Sequence, residues 1–137
     1  MRSALAITLI LGAISAAYAQ VSVSVFGLSK HSKSGFCETN PGLGLSYQLS
    51  EAWRLTAVRY KNSLCVDSTA VGAVYMPLTY GRFSFGTALL RVTGYQDQAI
   101  YAPIPVITYN GNGYAIDAIA VLNNSEGVIG LGLRFPL

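Results

Sequence analysis

The sequence predicts an all-β fold, an eight-stranded antiparallel transmembrane β-barrel of the outer-membrane kind. Three observations carry this. First, the chain is 52% hydrophobic, yet beyond residue 20 no apolar run approaches the ~20 residues a membrane-crossing helix needs. The longest, Ala99 to Ile107, contains Pro103 and Pro105. Second, apolar residues recur at every second place: Leu43, Leu45, Tyr47 and Leu49 near the start, and Ile129, Leu131, Leu133, Phe135 and Leu137 at the end. Period two means strands with one apolar face. Third, the connections between the strands alternate between long and short, as a barrel with turns at one rim and loops at the other requires.

Residues 1–19 read as a secretory signal peptide. Arg2 supplies the positive start, Ala4 to Ala16 is apolar but too short to span, and Ala17-Tyr18-Ala19 is a small-x-small cleavage site. Residues 20–137 then form one barrel domain. Strands are expected near 20–29, 42–49, 53–61, 67–77, 81–93, 100–109, 113–122 and 127–136. The first connection, Lys30 to Pro41, is long, and Ser50-Glu51-Ala52 is tight. Asn62 to Val66 is intermediate, Leu78-Thr79-Tyr80 tight, and Gly94 to Ala99 intermediate. Asn110-Gly111-Asn112 is a turn of residues that tolerate positive φ, and Asn123 to Glu126 is polar. Short turns belong to the periplasmic side and longer loops to the outside.

Composition narrows the function. Charged residues make up 11% of the chain, against about 25–35% on a soluble surface. Residues 20–137 carry a small positive excess, scattered and without a groove-reading motif, which excludes nucleic acid as a partner. Aromatic girdles are expected at both interfaces. Trp53, Tyr75, Tyr80, Phe83, Tyr109, Tyr114 and Phe135 fall near the periplasmic ends, and Phe26, Tyr60, Tyr95 and Tyr101 near the outer ends. Ser22, Ser24, Gly42, Gly44, Ser46, Gly130 and Gly132 are expected inside, leaving room for a few large side chains or for a cavity. Leu89, Leu90 and Arg91 break the alternation of the fifth strand and mark a possible bulge.

His31 is the only histidine and ends the first strand, while Ser63 follows the third. The topology alone puts both on the outer rim. A serine hydroxyl needs a neighbouring base, usually histidine, to become a nucleophile; loop serines and surface histidines without a role are also common. Cys37 and Cys65 lie in the first two outer loops and are a disulfide candidate in an oxidising periplasm, with two unpaired thiols as the alternative. One histidine with scattered carboxylates offers no metal site, and no phosphate-binding loop follows a strand.

The chain resembles the outer-membrane lipid A palmitoyltransferase family, PagP, as a short, divergent relative. The resemblance rests on Ser29-Lys30-His31, Asn40-Pro41-Gly42-Leu43-Gly44-Leu45, Tyr60-Lys61-Asn62-Ser63, Tyr101-Ala102-Pro103-Ile104-Pro105-Val106, and the closing strand from Asn123-Asn124 to Phe135, in family order. It implies acyl transfer from a phospholipid to lipid A at the outer leaflet, with an interior pocket for the acyl chain and no cofactor. Lipids would pass sideways where Pro41, Pro103 and Pro105 weaken strand pairing. The implied partners are membrane lipids, acted on by a monomer. The implied catalytic residues are His31 as base, Asn62 as its orienter and Ser63 as nucleophile or polar partner. Asn62 stands where the family has aspartate, with Asp67 the nearest carboxylate to replace it. The family's N-terminal amphipathic helix is missing, and Leu137 replaces its terminal aromatic. Two other functions stay open: a structural or adhesive barrel whose loops bind surface ligands, and a lipid hydrolase using water as acceptor.

Overall fold

The computed structural model describes residues 20–95, 97–122 and 126–137. The expected signal peptide, residues 1–19, lies outside the described residues, as do Asn123, Asn124 and Ser125 of the last loop. Eight strands follow one another round a closed antiparallel barrel, the last pairing with the first. They are β1 (Gln20–His31), β2 (Thr39–Gln48), β3 (Trp53–Lys61), β4 (Asp67–Tyr80), β5 (Phe83–Val92), β6 (Ile100–Asn110), β7 (Ala115–Leu122) and β8 (Gly127–Pro136). Residues 49–52, 81–82 and 111–114 make the tight connections at one rim, the turn end. Residues 32–38, 62–66 and 93–99 make the longer ones at the other, the loop end. The first loop is shorter than Lys30 to Pro41, because pairing runs on to His31 in β1 and resumes at Thr39 in β2.

Alternation sorts the side chains. Leu43 and Leu45 of β2, Leu89 of β5, and Ile129, Leu131 and Leu133 of β8 stand exposed on the outer wall, while Ser46, Val74, Ala88, Ile104, Val106 and Thr108 are buried inside. Apolar side chains girdling a barrel with a buried polar interior face lipid rather than water, and closure pairs each strand on both sides except along the loop-end part of the β6–β7 seam.

The small inward residues make room for large ones. A Cβ on Gly130 would lie 2.9 Å from the Phe26 ring and 3.0 Å from Ile119, and one on Gly42 would run into Tyr60. Phe26 and Tyr60 pack edge to face with centroids 5.5 Å apart across the loop half of the lumen. Beside them Val74, Met76, Ala88, Ile104 and Val106 form an apolar cluster with Leu90, Ala102 and Ile119 against it. Toward the turn end the filling is polar. The Asp117 carboxylate accepts from Thr108 Oγ1 at 2.6 Å and Arg134 Nε at 3.2 Å, and meets Arg54 Nη2 at 3.4 Å. Hydroxyls of Ser24, Ser46 and Thr56 continue this layer in 3.1 Å steps.

Two sequence expectations are corrected. The fifth strand has no bulge: β5 pairs with β6 without a break, Leu89 and Arg91 pointing out and Leu90 in. The bulges lie at Gly27 in β1 and at Met76-Pro77 in β4. Two aromatic girdles were also expected, and only one forms. Trp53, Tyr75, Tyr80, Phe83, Tyr114 and Phe135 are exposed at the turn end, with Trp53 stacked on Tyr75 at 4.5 Å. At the loop end Phe26 and Tyr60 turn inward, leaving Tyr101 outside among the exposed Lys30, Arg59, Lys61 and Arg91.

Candidate functional site

The Gly27 bulge decides where His31 points. Before it, even-numbered residues of β1 face the lumen, Ser22 being buried while Val21 and Val25 are exposed. The extra residue between Phe26 and Leu28 inverts the alternation. Leu28 and Lys30 therefore face out, and Ser29 and His31 face in. His31 is 6% exposed, and neither ring nitrogen has a hydrogen-bond partner among the described residues. Phe36 of the first loop stacks on the imidazole, centroids 4.9 Å apart and planes 15° from parallel. Glu38, which the sequence reading passed over, accepts from the His31 backbone N–H at 3.4 Å and pairs with Lys30 Nζ at 2.8 Å. The Lys30 ammonium, with help from that N–H, holds the Glu38 carboxyl below its ordinary value. Lys33 and Phe36 line an open cleft of about 650 Å³ over His31.

Asn62 lies at the heart of the second loop and is fully buried. Its Oδ1 accepts from the Leu64 and Val66 N–H groups at 2.8 and 3.1 Å, and its Nδ2 donates to Ser68 Oγ at 2.8 Å and Gly94 O at 2.9 Å. All four of the amide's bonding positions are used, and none reaches His31. Ser68 Oγ passes the chain on to Thr93 O at 2.6 Å. Gly94 closes the knot with φ +87, where a Cβ would strike Ser68 and the Asp67 carbonyl. Asn62 thus ties the second loop to the third.

Ser63 is half-buried, and its hydroxyl faces the Tyr95 hydroxyl at 3.4 Å rather than the imidazole. His31 and Ser63 share the loop-end rim, but no hydrogen bond joins them. Asp67 is exposed on the outer wall, 3.4 Å from both Arg59 and Lys61, away from the lumen. Cys37 and Cys65 are disulfide-bonded, with Cα atoms 5.6 Å apart, and Cys37 N donates to Ser63 O at 2.9 Å. The bridge fixes the loop carrying Phe36 to the loop carrying Ser63, and cross-linking a span of 28 residues restricts the unfolded chain by about 3–4 kcal/mol. Phe36 and Glu38 carried no sequence signal, and Tyr95 read only as a girdle aromatic, because their roles here arise from loop docking rather than spacing.

One seam of the barrel is incomplete at this rim. β6 and β7 pair from Asn110↔Ala115 to Val106↔Ile119 and no further. Above that point β6 stays paired to β5 as far as Ile100, and β7 to β8 as far as Leu122. The side each β6 residue serves can be read from two bonds. Asn110 N donates toward β5, to Arg82 O, and the Ile104 carbonyl accepts from Thr87 of β5. Neighbouring residues of an antiparallel strand point their backbone groups to opposite sides. Odd positions of β6 therefore face β7, and Pro103 and Pro105 lack an N–H on that side. Just inside the gap lie Leu90, Ala102, Ile104 and Ile119, all apolar.

No protein-family model matches the chain, and no curated protein does. Solved structures do. A de novo designed transmembrane β-barrel superposes with a TM-score of 0.65 at 12% identity, covering 86% of this chain and 95% of that one. The solution structure of the designed barrel TMB2.3 gives 0.64 at 14% identity, covering 88% and 95%. The N-terminal β-barrel domain of Pseudomonas aeruginosa OprF is 18% identical over 86% of this chain and 97% of that one, with a TM-score of 0.45. The likeness to the two designed barrels is one of fold, and with the apolar wall it makes this chain a small eight-stranded transmembrane β-barrel.

Proposed function

We propose that the barrel sits in an outer membrane and transfers an acyl chain from a phospholipid to a lipid acceptor, lipid A in the reading the PagP resemblance supplies, at the outer leaflet. The observation that carries this is His31. A buried imidazole with both nitrogens unpartnered is uncommon, because burying a polar group without a bond costs about 1–3 kcal/mol, and this one sits at the loop-end rim beneath a single phenylalanine. Its nitrogens are free for a substrate. In the reaction His31 takes the proton of the acceptor hydroxyl, whose oxygen attacks the donor ester carbonyl. The new ester bond forms, the donor's carbon–oxygen bond breaks, and the proton passes to the departing lysophospholipid oxygen. Ser63 acts as a polar partner through Tyr95, and Asn62 serves by holding the loop that presents Ser63. The β6–β7 gap gives an acyl chain lateral access to the apolar cluster inside it.

Mass-resolved lipid A from cells expressing the protein is expected to gain an acyl chain, and the gain is expected to vanish with His31→Ala. No gain, or the same gain with His31→Ala, overturns this reading. Fatty acid released without acylation of an acceptor would identify a hydrolase instead. The filled lumen, with Phe26 and Tyr60 packed against the interior glycines, favours the non-enzymatic alternative. An unchanged lipid profile together with a ligand-binding defect on deleting the first loop would establish that.

A further inference from the structure

The outer wall carries a second feature, remote from His31. Ala57 occupies the middle of the outward face of β3, opposite Leu45 of β2 and Val71 of β4. Its short side chain leaves a largely apolar furrow of about 500 Å³ between larger neighbours, flanked by Leu43 and Leu45 on one side and by Val71 and Thr69 on the other. Ligand clefts commonly measure about 300–1,000 Å³. The furrow runs up to Arg59. Arg59 is opposite Thr69 and Val71 is opposite Arg91, so the two outward arginines flank β4 at neighbouring heights. Two strand spacings across and two residues along β4 set their Cα atoms about 12 Å apart, within reach of one group for side chains of this length. Asp67 binds Arg59 and Lys61 at 3.4 Å, while Arg91 has no acidic partner among the described residues. The patch therefore keeps a positive excess at the height of the loop-end interface.

A lone arginine there is explained by snorkelling, its stem in the apolar layer and its head in water. Snorkelling does not explain an apolar furrow that ends at one arginine with a second across β4. We propose that this furrow binds one anionic membrane lipid of the outer leaflet. Its acyl chain lies along Ala57, and its phosphate is bridged by Arg59 and Arg91 above Thr69. The guanidinium fork matches phosphate oxygens two at a time. The Thr69 hydroxyl, bonded to Thr93 Oγ1 at 2.9 Å, stands between the two arginines as a further polar contact. The furrow lies in the wall that faces lipid, so a lipid is its natural occupant, and the charge at its head selects an anionic one. The site shares no residue with the acyl-transfer reading and stands or falls separately from it.

Native mass spectrometry of the full barrel, released from nanodiscs containing equal phosphatidylglycerol and phosphatidylcholine of matched chains, tests this. One phosphatidylglycerol retained per barrel in preference to phosphatidylcholine is expected. Arg59→Gln with Arg91→Gln should abolish that preference, each arginine contributing about fivefold. Ala57→Phe should fill the furrow and lower retention of both lipids alike, and Arg82→Gln in the turn between β4 and β5, at the opposite rim, should change neither. Arg59→Lys with Arg91→Lys keeps the charge but loses the fork, so partial preference is expected even if the glutamine pair fails to fold. Equal retention of the two lipids by the unaltered protein, preference surviving in the glutamine pair, or a dimer masking the Ala57 face would each overturn the proposal.

Discussion

The two halves of the lumen are built from the same eight strands by different rules. In the turn half every seam is paired, with one bulge at Met76-Pro77, and the polar side chains are collected into one network, with Asp117 shared by Arg54, Arg134 and Thr108. Among the described residues, Arg54 Nε is the one buried side-chain atom there without a partner. In the loop half β1 bulges, β6 and β7 come apart, and His31 is buried with both nitrogens unpartnered. Departures from local rules gather where structure serves something besides stability. The turn half behaves as scaffold. The loop half gives up stability for a lateral gap and for a buried imidazole that, in the proposed reaction, would meet the substrate.

The largest expected effect tests the scaffold side of that contrast. Asp117→Ala would leave two buried arginines without their shared carboxylate, and breaking a buried pair typically costs about 3–5 kcal/mol. Urea unfolding in lipid vesicles, followed by fluorescence of Trp53, the single tryptophan, measures it. Ser63→Ala at the loop end is expected to change stability by less than about 0.5 kcal/mol. Equal losses in the two variants would remove the distinction between the halves. Next in size is Asn62→Asp, which supplies the aspartate the PagP resemblance looks for. The change replaces an N–H donor with an oxygen facing the Gly94 carbonyl and Ser68. A loss of about 1–3 kcal/mol is expected, as for a buried group left without its partner, with no gain in acyl transfer. A more active Asn62→Asp protein would return Asn62 to the chemistry.

The strands and the shared rim of His31 and Ser63 were legible because alternation and loop length are local properties, and in a closed barrel local properties fix topology. What escaped was set by single residues acting on the strands around them. Extending the alternation of Val21, Val23 and Val25 would place His31 on the outer wall, and only the bulge at Gly27 brings it inside. A lone glycine in a strand is consistent with a bulge but does not announce one. Leu89-Leu90-Arg91 looked irregular in sequence because Leu90 is an apolar residue on an apolar interior patch, so both faces of β5 are apolar there. Asn62 read as an orienter because the PagP resemblance puts it where that family has aspartate. Its actual partners, Gly94 and Ser68, come from a third loop and a neighbouring strand that no spacing rule connects.

The gap can be closed to sharpen the comparison from the other side. Pro103→Ala with Pro105→Ala returns two N–H donors to the β7 side of β6, each new bond adding about 0.5–1.5 kcal/mol net. Slower hydrogen exchange at Ala120 and Leu122 of β7 is expected, with modestly higher stability and slower acyl transfer. Exchange unchanged at those amides would mean that curvature, rather than the missing donors, separates the strands.

The smallest effect concerns the cover over His31. Glu38 is held below its ordinary value of 4.5, first by Lys30 and then by the His31 N–H. A carboxylate with a depressed folded-state pKa contributes its interaction above the unfolded value and loses it as pH falls through the folded one. The Lys30–Glu38 contact is therefore complete at neutral pH and released only below 4.5. Because Glu38 Oε1 accepts from the His31 amide, that amide's proton shift in NMR spectra of the barrel in micelles should report the titration. Its midpoint is expected below 4.5, should move up toward that value in Lys30→Gln, and should vanish in Glu38→Gln. An unmoved midpoint in Lys30→Gln would mean that the backbone N–H, and not the ammonium, holds the carboxylate over the mouth of the site.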